Sequence, residues 1–277
     1  MIRDVVRDPH RRAGPHLRHA FRAVAPGMAV AAALAGTSLA RAAPLPSPPA
    51  PPLVVTSFYE GRLYLKVLDV RADDIVGAGG YQAGARIQSS GVVRMVKPVS
   101  LLAQVQGRMV QGYPVPGQFT VRSGGKHRSV AMGGLRAADA VTQVLRLGLR
   151  GPASPCAGPL PIYDGKQSYV LAFSPAGGGD LSSVQRGFGL STPTRCRLSF
   201  RPVTGFRSSS MGGALRGDSF ATFARSTTTG FWVLSDITIG TVAGAAKIEL
   251  TGLKITGRIP RVQVVSPVVR SPAGRRR

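Results

Sequence analysis

Several segments of the chain alternate apolar and polar residues with period two, the pattern of strands buried on one face. In Tyr81–Gln88 the odd positions are Tyr81, Ala83, Ala85 and Ile87, and the even ones are Gln82, Gly84, Arg86 and Gln88. Val99–Gln111 continues with Val99, Leu101, Ala103, Val105 and Met109 on one side. In Arg195–Arg201, Cys196, Leu198 and Phe200 oppose Arg195, Arg197, Ser199 and Arg201; later Ala246, Ile248 and Leu250 oppose Lys247, Glu249 and Thr251. Shorter strands are expected at 63–70, 119–122, 127–132, 168–173 and 231–234. One helix is expected at about 138–148, with Asp139 as N-cap, an apolar face of Val141, Val144, Leu145 and Leu147, and Gly148 as the stop. One helix among many strands predicts a mainly β fold: a curled antiparallel sheet or open barrel with the helix packed against it. Gly177–Gly179 and Ser208–Gly213 read as loops.

The ends of the chain are different in kind. Residues 1–23 carry six arginines against Asp4 and Asp8, an alanine-rich apolar run follows from Val24 to Leu39, and Ala40-Arg41-Ala42-Ala43 has the small residues of a cleavage site. That order is the order of a secretory signal, so 1–42 is read as a signal peptide and the mature protein as periplasmic or secreted; the alternative is an uncleaved leader anchoring it in the inner membrane. Residues 43–57 read as a Pro-rich linker, 58–260 as the β-rich domain, and 261–277 as a frayed basic tail.

Composition narrows the chemistry. The 277 residues carry a formal charge of +24. Seven of the 36 basic and two of the 12 acidic residues lie in 1–42, which leaves 29 against 10 beyond the leader. Such a field attracts polyanions. Cys156 and Cys196 are the only cysteines; an even count in an exported chain fits one disulfide, with two buried thiols as the alternative. Beyond the leader there is one histidine, His127, in the basic turn Gly124–Arg128, so a Ser-His-Asp or Cys-His site has little to work with. Zinc lacks ligands, and the adjacent acids Asp73-Asp74 read as a solvated turn rather than a calcium site. Asp164, Asp218 and Asp236 remain for a carboxylate hydrolase, but Asp164-Gly165 is a two-residue hairpin signal. No phosphate loop is present and few aromatics stand among basic residues, so nucleic acid is not expected as a partner. No catalytic residue, metal or cofactor is assigned.

The order of these features resembles an exported bacterial family, domain-of-unknown-function family 3108, over roughly residues 58–256. Its pieces are Gly80-Tyr81 opening a strand, Cys156 upstream of Tyr163-Asp164-Gly165-Lys166, and Cys196 leading into Pro202-Val203-Thr204-Gly205-Phe206. The family often opens the helix with Asp-Pro, where this chain has Ala138-Asp139. The resemblance implies a β-rich exported domain without an established activity, with Tyr163, Asp164, Gly165, Pro202 and Gly205 in structural roles. By analogy of fold it suggests the half-barrel lipid and lipoprotein carriers of the periplasm, which does not fix function. Two uses are therefore expected: a non-enzymatic module holding an apolar or amphipathic ligand in the room left by Ala83, Ala85, Ala103 and Ala246, or a scaffold using Arg195, Arg197, Arg201 and Arg207 on an anionic glycan, lipid surface or protein partner.

Overall fold

The computed structural model describes residues 50–260 except 97, 134–136, 157, 207–217 and 242–243. The expected leader, the basic tail, Arg207 and the 208–213 loop lie outside the described residues. Twelve strands form one antiparallel sheet. They are β1 (Leu53–Leu63), β2 (Leu65–Val76), β3 (Gly80–Ser89), β4 (Ser100–Val110), β5 (Tyr113–Ser123), β6 (Lys126–Ala131), β7 (Gly158–Tyr163), β8 (Ser168–Gly178), β9 (Leu190–Thr204), β10 (Phe220–Ser226), β11 (Trp232–Thr241) and β12 (Gly244–Thr256). The spatial order 6-5-4-3-2-1-12-11-10-9-8-7 is two six-stranded meanders joined by the first and last strands. Val54 faces Thr256 across that junction.

The alternation read from the sequence sets the faces. Ala83 stands between Asp74 and Val105, and Tyr81 between Val76 and Gly107. Tyr81, Ala83, Ala103 and Val105 are all buried with Leu53, Val55 and Phe119. Helix α2 (Ala140–Gly148) packs onto this side, touching β3, β4 and β5 of the first meander and β7 and β11 of the second. Asp139 caps it, accepting from the Thr142 amide at 2.8 Å, as the residue types predict. The buried face is not the one expected: Leu145 and Leu147 are buried, but so are Thr142 and Gln143, while Val144 is half exposed. The polar pair is satisfied locally, because Thr142 meets Asp139 and the Tyr81 hydroxyl, and the Gln143 amide donates to the Pro161 carbonyl at 2.7 Å. The helix ends at Gly148, as expected, and a Cβ there would stand 2.1 Å from the Phe231 ring. The glycine therefore also serves packing.

Four further expectations are corrected. Two additional short helices occur, α1 (Gly91–Val96) and α3 (Ser183–Gly187), the latter closed by a Ser182–Gln185 capping box. β1 begins at Leu53, so the strand starts inside the segment read as linker. Gly177 and Gly178 end strand β8 instead of forming a loop. Asp73-Asp74 lies within β2, not in a turn.

The sheet has two edges, β6 and β7. β6 carries Lys126, His127 and Arg128, and β7 carries Pro159 and Pro161; charge and proline both discourage pairing with another chain. The edges are brought together by the chain that leaves β6. Met132 donates to the Gly117 carbonyl, and Ala138 then forms a parallel bridge with Ile162 on β7. The β7–β8 turn leans on β6, where a Cβ on Gly165 would stand 2.5 Å from Val130 and the Arg128 guanidinium reaches the Asp164 carbonyl. The sheet is an open barrel whose seam is closed by side chains and α2.

Candidate functional site

A concavity lies on the outer face of the first meander. Residues opposite the core positions of β2–β5 line a trough of about 620 Å³: Arg71, Asp73, Gln82, Gly84, Arg86, Gln104, Gln106, Gln118 and Thr120 among them. Antiparallel register builds it, since Gln82 faces Gln106, Gly84 faces Gln104, and Gln106 faces Gln118. Gly84 leaves the floor without a side chain. The amides are already aligned: Gln106 donates to Gln118 at 3.3 Å, and Gln118 to Ser129 at 2.9 Å. Arg71 holds Asp73 with two nitrogens, and Thr56 donates to the same carboxylate. Arg86 makes no ion pair or side-chain hydrogen bond within the described residues. Separate hollows flank it, one lined by Arg108 and Tyr81 among others and one by Ser90, Arg94 and Arg122.

The inner face holds a residue whose role the sequence concealed. Asp74 lies between Val55 and Ala83, both buried, and so points to the core side, while Asp73 beside it points out to Arg71. Burial raises the Asp74 carboxyl to about 7, with the neighbouring Asp73 charge adding to the effect. The same environment pushes Tyr59, further along the inner face, up to about 12. The register Val70, Ala72, Asp74, Val76 on β2 carries the signal that could have found Asp74. Of the small inward residues, Ala83 and Ala103 are buried in the cluster that includes Leu145 of α2, and Ala85 and Ala246 keep partial exposure.

The predicted site residues fall into place as follows. Cys156 and Cys196 form a disulfide, with Cα atoms 5.3 Å apart, in a second buried cluster with Leu147, Leu160, Phe173, Ala221, Phe223 and Trp232. The two motif segments of the family resemblance meet in space: a Cβ on Gly205 would stand 2.4 Å from the Lys166 carbonyl oxygen, Gln167 donates to the Gly205 carbonyl, and Pro202 faces Tyr169. Tyr163 pairs with Ser168 and donates its amide to Ala138. The Asp164-Gly165 hairpin is longer than two residues, because Asp164 Oδ1 accepts from both Lys166 and Gln167 amides. Arg195, Arg197 and Arg201 share the outer side of β9, but Arg197 is paired with Asp218 at 2.8 Å, and Arg195 and Arg197 both lie over the Phe220 ring, at 3.9 and 5.6 Å. Asp236 accepts from Ser235, and burial raises its pKa. His127 is exposed on β6. Among the described residues, no group of three or more metal-ligating side chains occurs, and no helix is long and apolar enough to cross a membrane.

No family profile and no curated protein matches the chain by sequence. Among solved structures, the chain is similar to a β-barrel-like protein of domain of unknown function DUF1849 from Brucella abortus, at 12% identity and a TM-score of 0.38, over 75% of this chain and 98% of that one.

Proposed function

We propose that this is a non-catalytic, exported envelope module whose outer trough binds an extended, hydroxyl-rich anionic chain, an acidic glycan. The observation that carries the reading is the composition of the trough: five positions of amide or hydroxyl side chain (Gln82, Gln104, Gln106, Gln118, Thr120) beside Arg86, unpaired among the described residues, with Arg71 balanced by Asp73, over a glycine floor. Primary amides donate and accept at once, which suits sugar hydroxyls, and guanidinium pairs with carboxylate or phosphate in two-point fashion. The trough runs along strands on a rigid sheet, so its groups are positioned before the ligand arrives. The signal-like leader supports export, and membership of family 3108 belongs to the same proposal.

The test is calorimetric titration with a uronic-acid oligosaccharide and, as control, a neutral glucan of the same length. The expected result is binding of the acidic chain alone, weakened by salt and about tenfold or more weaker in Arg86→Glu. Equal affinity in wild type and Arg86→Glu, or no binding at all, overturns the reading.

A second reading, an amphipathic ligand on the inner face, is favoured by Asp74, an inward carboxyl without a hydrogen bond among the described residues. A cationic head group is what this carboxyl would recognise once ionised, above about pH 7. Native mass spectrometry of the protein purified without detergent tests it: an adduct of lipid mass that Asp74→Asn removes supports it, and a clean apo mass refutes it.

A further inference from the structure

We propose that the hairpin end of the barrel, opposite the end where β1 starts, docks on an anionic lipid bilayer. Three large apolar side chains stand out there. Tyr64 and Leu65 occupy the tip between β1 and β2, at 86% and 65% exposure, and Met95 on α1 is 79% exposed. They are neighbours by construction. The Ser90 amide donates to Val67, and Gly91, which opens α1, sits so close over β2 that a Cβ would stand 2.8 Å from the Lys66 carbonyl oxygen. Tyr64 reaches toward the β11–β12 turn, its hydroxyl 2.8 Å from where a Cβ on Gly244 would be. The tip is held in place by a backbone that few side chains adopt, with Tyr64 at φ 73°.

Charge complementarity identifies the occupant. The acids of this end are already engaged: Glu60 by Arg62 and Lys66, and Asp69 by Lys66. Arg94 on α1, and Arg122 and Lys126 flanking the β5–β6 turn, are exposed cations with no ion pair among the described residues. Apolar tips on separate turns do not make the continuous patch a folded protein partner buries. Dispersed tips with cations between them instead suit a surface that yields around each side chain, with the basic residues at the level of acidic head groups and a tyrosine at the interface. The barrel does not span the bilayer in this reading, because the outer faces of β2–β5 carry Gln82, Arg86, Gln104 and Gln106 where a spanning barrel is apolar.

The proposal is tested in the full chain with a local reporter, so that attachment through any other segment does not register. Tyr64→Trp places a tryptophan at the tip and Tyr113→Trp places one at the opposite end; buried Trp232 is a constant background in both. Each protein is mixed with phosphatidylglycerol-rich vesicles bearing brominated acyl chains. Quenching severalfold stronger at the tip than at the opposite end, and lost when Leu65→Asp and Met95→Asp are added, is the expected result. Equal quenching at the two ends, or equal tip quenching on purely phosphatidylcholine vesicles, overturns it.

Discussion

The two meanders are built alike and stabilised differently. The first, β1–β6, runs through short turns apart from α1, has no covalent link, and puts amides on its outer face. The second, β7–β12, has a disulfide from the segment before β7 to the middle of β9, prolines on its edge, and an outer face where arginines stack on Phe220. The first meander obtains its core from α2, which lies against β3, β4 and β5. The second builds a separate cluster around the disulfide, to which α2 contributes Leu147. One half depends on a helix and the other on a bond.

The largest effect that would separate the halves is loss of the bond. A 40-residue separation corresponds to about 3–4 kcal/mol on the chain-entropy account, so Cys196→Ala should lower the melting temperature by roughly 10 °C for a domain of this size. Calorimetry with and without reductant checks it, and an unchanged transition in reductant contradicts it. Next comes Leu145→Ala, which empties the contact of α2 with the first meander and should cost about 2–4 kcal/mol by urea titration. Hydrogen exchange should then show β3–β5 loosening more than β8–β10.

A smaller effect, dependent on pH, belongs to Asp74. Its folded pKa, about 7, stands above the unfolded value, so the native state holds a proton that the unfolded chain has released. Stability from this group is complete below the unfolded carboxylate range and declines as pH rises through about 7. Asp74→Asn should therefore leave stability near pH 4 unchanged and raise it at pH 8 by about 1–2 kcal/mol, at the low end for such a shift because the group keeps some accessible surface. Denaturant titrations at both pH values decide it; a gain at pH 4 equal to that at pH 8 would show that burial of charge is not the cause.

Strand alternation made nine of the twelve strands legible, and the three it missed have physical reasons. Pro159 and Pro161 disguise β7, which tolerates them because it is an edge strand with no further strand beyond it, only the single bridge at Ile162. In β10 four successive residues, Ala221 to Ala224, are buried, with a bulge at Thr222/Phe223, so no period-two pattern appears. β1 stood partly inside the proline-rich stretch. The amide trough was present in the same alternation that located β3 and β4, but polar positions on a strand read as solvent-facing until neighbouring strands bring them into register. Gln104 and Thr120 meet only because β4 and β5 pair. Asp74 was hidden by its neighbour, since adjacent acids suggest a turn and only their opposite facing on β2 distinguishes them.

The junction of first and last strands has a consequence in time. During synthesis, β1 emerges with its β2 side soon satisfied, and its other edge waits for β12, some two hundred residues later by the slow route of non-local pairing. Throughout that interval Leu53 and Val55 lie next to an open row of backbone donors and acceptors, an invitation to a neighbouring nascent chain. A chain that stops before β12 keeps that invitation open permanently. Premature termination near the carboxyl end should therefore give aggregates rather than a slightly shortened domain.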